Sequence, residues 1–152
     1  MERVLVSACL LGVNCRYSGR PGGDERVTEE AVKRGWIPVC PEILGGLPTP
    51  RIPNECLRGR VIGSDGSDNT AAFERGAGET LRLAELYGVG YALLKERSPS
   101  CGRGEIYDGT FTHTRVPGSG VTARLLKANG IRVFGESELD QLIEILEGAD
   151  EG

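Results

Sequence analysis

Val4-Leu5-Val6-Ser7-Ala8-Cys9 is a short apolar run that ends on a thiol, and the pattern returns twice. Trp36-Ile37-Pro38-Val39 runs into Cys40, and Tyr91-Ala92-Leu93-Leu94-Lys95 stands a few residues before Cys101. Each run reads as a buried parallel strand, being short, continuous and apolar. Three cysteines distant in sequence are therefore expected at the carboxyl edge of one sheet, where open α/β folds place their ligands.

Outward from these runs, strand and helix alternate, which implies a parallel sheet covered by helices. The spacing predicts helices over 28–34, 70–87 and 121–129, and a fourth strand at Ile131–Phe134. Phe73, Ala77, Leu81 and Ala84 recur at helical spacing on the longest of these helices. A last helix opens at Ser137-Glu138-Leu139-Asp140, a capping-box pattern, with Leu139, Leu142, Ile143 and Leu146 as its apolar stripe. Two long connections stand out, Pro41–Pro53 and Arg97–Pro117. The first carries prolines at 41, 48, 50 and 53 and reads as a stiff, irregular arm. Both begin beside a cysteine, and long loops at the ligand edge of a sheet tend to carry function.

Composition narrows the class. The chain has 152 residues, 39% hydrophobic and 26% charged, with a net charge of −4. That length suits one domain with a real core. The mild acidity gives no footprint for duplex nucleic acid, and no apolar stretch approaches the roughly 20 residues that span a bilayer. The N-terminus runs straight into a strand without a signal-peptide pattern, so a cytoplasmic protein is expected.

Five cysteines without dense short-loop spacing read as metal-binding, catalytic or buried thiols. There is no C-x-x-C pair and a single histidine, His113, which reads as a loop residue, so the usual structural zinc spacings are absent. Three converging thiolates form an incomplete ligand set for a soft metal or an iron–sulfur cluster, with one position open. The spacing alone does not choose among iron–sulfur, zinc and copper(I). Glu42, two residues beyond Cys40, is a candidate general base or water-positioning group. Ser98 and Ser100, flanking Pro99 before Cys101, can orient a water or simply bond the local backbone. Arg16, Arg51, Lys95 and Arg97 can neutralise a cluster or grip an anion, and the Ser119-Gly120 helix start offers backbone N–H groups to one.

Longer blocks around these residues carry a resemblance. Val6-Ser7-Ala8-Cys9-Leu10-Leu11-Gly12, Asn14-Cys15-Arg16-Tyr17, Cys40-Pro41-Glu42, Gly45-Gly46-Leu47 and Pro50-Arg51 are similar to the thiouracil desulfurase family. So are Lys95-Glu96-Arg97-Ser98-Pro99-Ser100-Cys101-Gly102, Ile106-Tyr107-Asp108-Gly109-Thr110-Phe111 and Gly118-Ser119-Gly120-Val121-Thr122-Ala123, and the match spans nearly the whole chain. The resemblance implies a non-redox desulfurase that holds a 4Fe–4S cluster by three cysteines, here Cys9, Cys40 and Cys101. It places the catalytic carboxylate on Glu42 and the catalytic serine on Ser98 or Ser100. The implied partner is a thiolated pyrimidine base or nucleoside, whose C=S is hydrolysed to C=O with release of sulfide. Cys15 is expected beside the ligand set. After Tyr17 the family usually carries an aspartate before glycine, whereas this chain has Ser18-Gly19.

Pattern and resemblance together imply one α/β domain over 1–152, a Rossmann-like three-layer fold with a mostly parallel sheet of about four strands and long ligand-binding loops. The competing readings are a non-catalytic iron–sulfur or zinc-binding protein, for redox sensing or sulfur carriage, and a thiol-disulfide enzyme using Cys9 and Cys15. The first leaves Glu42 and the Ser-Pro-Ser segment without roles, and the second lacks its C-x-x-C motif. The oligomeric state is not legible.

Overall fold

A computed structural model describes residues 2–19 and 22–151. Its centre is a four-stranded parallel sheet of β1 (Val4–Ser7), β2 (Ile37–Val39), β5 (Tyr91–Leu94) and β8 (Arg132–Gly135), in the order β2-β1-β5-β8. All four residues of β1 are buried, as a strand covered on both faces requires. Alternation along the strands sorts the core into two halves. Val4, Val6, Leu93 and Phe134 pack with Val27 and Ala31 of α1 (Glu25–Arg34) and with Leu139, Leu142 and Leu146 of α5 (Leu139–Glu151). Leu5, Ala92, Leu94 and Val133 face Ala84 of α3 (Thr70–Tyr87) and Ala123 and Leu126 of α4 (Val121–Ala128). The fold is therefore the three-layer α/β arrangement expected. The chain leaves β1 to one side for β2 and returns on its other side as β5, so the topology switches at β1, and the carboxyl ends of these three strands bound the crevice.

Several elements differ from the sequence reading, each for a local reason. Helix α1 begins at Glu25, because the Asp24 side chain accepts the Val27 N–H at 3.2 Å and caps it. The arm at Pro41–Pro53 is not irregular throughout. Pro41–Leu44 forms one helical turn, α2, with Pro41 at the first position, where a missing N–H costs nothing. Beyond it lies an unexpected hairpin of β3 (Asn54–Leu57) and β4 (Arg60–Gly63), turned by Arg58 and Gly59, both at positive φ. The second long connection holds another antiparallel pair, β6 (Glu105–Tyr107) with β7 (Arg115–Pro117). The last capping interaction starts two residues early: Glu138 Oε1 accepts the Gly135 N–H at 3.0 Å, and Ser137 turns to Glu96. Among the described residues no helix is long and apolar enough to cross a membrane.

One close approach positions the site. Helices α2 and α3 meet through Gly45 and Gly76, and a Cβ on Gly76 would run into the Pro41 carbonyl. Because Cys40, Pro41 and Glu42 are consecutive, that contact sets where the thiol and the carboxylate stand. Gly76→Ala is expected to cost about 1–3 kcal/mol through overpacking. Thermal unfolding would read that loss, and displacement of α2 would lower activity with it.

Candidate active site

Cys9 stands in a 3₁₀ turn (Ala8–Leu11) that continues β1, and Cys40 directly follows β2. The parallel register that pairs Ser7 with Val39 brings these two strand ends side by side. Cys101 lies in the loop after β5, the other neighbour of β1. All three line one cavity of about 410 Å³ at the carboxyl edge of the sheet, together with Cys15, Glu42 and Ser98. Among the described residues no three His, Cys, Asp or Glu side chains close on a single-ion site, and all five cysteines are free thiols. The four cavity thiols surround a shared space.

The cavity thiols lie close enough for the charge of one to disfavour ionisation of the next. Burial pushes the Cys9 thiol up to about 11, with the neighbouring Cys40 charge adding to the rise. Burial raises Cys101 above the ordinary thiol range, against the pull of the Ser7 hydroxyl beside it. Cys40 moves the other way, lowered chiefly by the neighbouring Cys15 side chain, with the Ile43 N–H and Arg51 helping, while its Sγ lies 3.9 Å from the Cys15 carbonyl oxygen. Cys15, the other thiol of that close pair, is raised. A coordinating ion deprotonates a thiol outright, whatever its resting state. The donor set fits an iron–sulfur cluster, with soft sulfur donors from three separate segments lining one cavity.

Glu42 is held rigidly. Arg51 Nε donates to Glu42 Oε1 at 3.1 Å, while Arg51 Nη2 donates to the Cys15 carbonyl at 2.9 Å and Nη1 to the Pro48 carbonyl at 3.0 Å. The Arg51 side chain is only 5% exposed. Instead of standing ready for an anion, Arg51 ties the carboxylate, the cysteine loop and the proline arm into one piece. Lys95 is likewise engaged, by Glu136 at 3.0 Å. Arg97 lies 3.9 Å from Glu96. Arg16 lines the cavity and its charge favours the Cys9 thiolate, but it makes no ion pair among the described residues.

The two serines part company. Ser98 lines the cavity, and its Oγ accepts the N–H groups of Ser100 at 3.1 Å and Cys101 at 3.0 Å. With the oxygen committed as acceptor, its proton is left to donate. Ser100 is fully buried outside the cavity lining and shares a 2.7 Å hydrogen bond with Thr122. The start of α4 offers no anion site: the N–H of Val121 is taken by the Pro99 carbonyl, and those of Thr122 and Ala123 by Ser100. These bonds dock the Ser98–Cys101 segment on the helix. Gly120 permits the approach, since a Cβ there would meet the Ser100 backbone.

Further residues reach the site without having been singled out from the sequence. Ser7, at the end of β1, accepts the Lys95 N–H at 2.8 Å as well as bonding to Cys101. Its signal was a hydroxyl closing an otherwise apolar strand. Tyr107 and His113 line the cavity from the β6–β7 hairpin and stack edge to face, with ring centroids 5.7 Å apart. The histidine is a loop residue, but one that faces the site. Glu55 of β3 also lines the cavity. Cys56 does not, its Sγ lying 3.5 Å from the Pro99 carbonyl.

A sheet edge ringed with thiols, a clamped carboxylate and a serine defines a cysteine-rich α/β family, and comparison identifies it. Residues 4–138 match the family described as 2-thiouracil desulfurase, and the chain belongs to that family. It is 40% identical over 150 residues to the uncharacterized protein YbbK of Bacillus subtilis (strain 168), covering 92% of this chain and 99% of that protein. A solved structure, the 4Fe–4S-dependent thiouracil desulfidase TudS, is 43% identical with a TM-score of 0.92, covering 97% of this chain and 99% of that one.

Proposed function

We propose that this protein hydrolyses the C=S group of thiolated pyrimidines, converting thiouracil and water to uracil and sulfide, with Cys9, Cys40 and Cys101 holding a 4Fe–4S cluster. The observation that carries the reading is the meeting of Glu42 and Ser98 with those three thiols on one cavity. When bound, a cluster with only three protein ligands supplies an open, thiophilic iron that acts as a Lewis acid toward sulfur. The protein's own groups do the rest. Glu42, fixed by Arg51, takes a proton from water as it adds to the ring carbon. Ser98 donates a hydrogen bond to that water or to the charge that develops. Water adds as the C=S π bond opens; the added hydroxyl then gives up its proton to form C=O as the C–S bond breaks. Sulfur leaves with both bonding electrons, and the two water protons end on Glu42 and sulfide, so no net electron transfer occurs. Cys15 stays beside the ligands, its backbone carbonyl 3.9 Å from Cys40 Sγ.

The test is anaerobically prepared, iron-loaded protein given 2-thiouracil and no electron donor, with uracil and sulfide measured together. Equal yields of the two support the reading, and turnover only on adding a reductant contradicts it.

The serine roles separate in the same assay. Ser98→Ala is expected to lower kcat by about 10²–10³-fold, the usual loss when one hydrogen-bond donor to developing charge is removed. Ser100→Ala should leave kcat nearly unchanged but cost about 1–3 kcal/mol of stability, because the Thr122 hydroxyl is left buried without its partner.

A further inference from the structure

Glu55 lines the cavity along with Glu42 and Glu96, and the proposed reaction gives it nothing to do, whereas Glu96 is engaged by Ser137 and Arg97. It stands in β3, only 7% exposed, on the cavity that Cys40, Cys101 and Glu42 line. Its Oε1 accepts the N–H groups of Gly109 at 3.0 Å and Phe111 at 3.2 Å, holding the tip of the β6–β7 hairpin. Among the described residues its Oε2 has no hydrogen bond and Glu55 makes no ion pair, whereas Glu42 has Arg51. The one fully enclosed side-chain polar atom without a partner among those residues is Trp36 Nε1, so Glu55 Oε2 is not sealed in. The space open to it is the cavity that Glu55 lines.

A carboxylate this buried, with no cation and half its acceptor capacity unused, calls for another donor. A thiolated pyrimidine brings such donors. In 2-thiouracil an N–H flanks the thiocarbonyl carbon on each side, and a carboxylate accepting one makes a charge-assisted bond. Resting on the desulfuration reading, we propose that Glu55 Oε2 accepts a ring N–H of the pyrimidine and is a specificity-determining residue of the site. If the N–H is the one at ring position 1, the site takes the free base and rejects nucleosides, in which that nitrogen carries the sugar.

Uracil, which offers the same N–H groups and is not consumed, is the probe. Its binding to the iron-loaded protein, and that of 1-methyluracil and 3-methyluracil, would be measured calorimetrically for the wild type and for Glu55→Gln. Glutamine keeps an oxygen for the Gly109 and Phe111 N–H groups and turns an NH₂ toward the substrate. Uracil affinity should fall about 10- to 100-fold in Glu55→Gln, the loss expected for one hydrogen bond to a charged acceptor. Methylating the nitrogen that Glu55 reads should cost the variant about tenfold less than it costs the wild type. Unchanged uracil affinity in Glu55→Gln overturns the proposal, as does a wild type that binds no uracil. An equal loss for all three ligands also overturns it, being the mark of a residue that only braces the hairpin. Failure of the desulfuration reading shows separately, as a wild type that binds uracil but releases none from 2-thiouracil.

Discussion

Cys40→Ser is expected to lose cluster colour, bound iron and desulfuration together. Cys40 follows β2 directly and is the cavity thiol held most readily as thiolate, lowered by the neighbouring Cys15 side chain, the Ile43 N–H and Arg51. Serine offers a hard oxygen that keeps its proton, a poor exchange where iron prefers soft sulfur. The side chain is half-buried and the change nearly isosteric, so the fold should persist, with little shift in the thermal midpoint. Cys56→Ser is the control. Its thiol lies outside the cavity, and that variant should keep iron, colour and turnover. Full iron content and activity in Cys40→Ser would remove Cys40 from the ligand set.

Glu42→Gln should separate chemistry from cluster binding. The amide oxygen still accepts from Arg51 Nε, so the link from α2 to the proline arm survives and the iron content should match wild type. What the amide lacks is the capacity to take a proton, and a general base is worth about 10²–10⁴-fold in rate. The expected result is a loss of that order in kcat with little change in KM or in the visible spectrum. Wild-type turnover would show that the carboxylate is not the base.

The sheet and its ring of thiols were legible because they follow from local rules. Val4, Leu5, Val6 and Ala92, Leu93, Leu94 are apolar and buried, as strands covered on both faces must be. Cys9 and Cys40 sit where those rules put a strand end. The carboxylate was legible from its distance to Cys40 along the chain. What stayed hidden depends on contacts between distant segments. Arg51 read as a spare cation because nothing local shows that it spans Glu42, Cys15 and Pro48. Ser98 and Ser100 could not be told apart, since the difference lies in Thr122, 22 residues away on α4. The β3–β4 hairpin is short and its turn is Arg58-Gly59, a weaker signal than Asn-Gly, so Glu55 went unnoticed until the hairpin placed it on the cavity.

In the proposed hydrolysis, water supplies the oxygen that replaces sulfur, with Glu42 taking its proton. Turnover of 2-thiouracil in oxygen-18 water, without an electron donor and with the product analysed by mass spectrometry, tests it most directly. Hydrolysis gives one labelled oxygen in uracil, at the carbon that carried sulfur, and one sulfide released per uracil formed. Unlabelled uracil, or product formed only when a reductant is supplied, would contradict it.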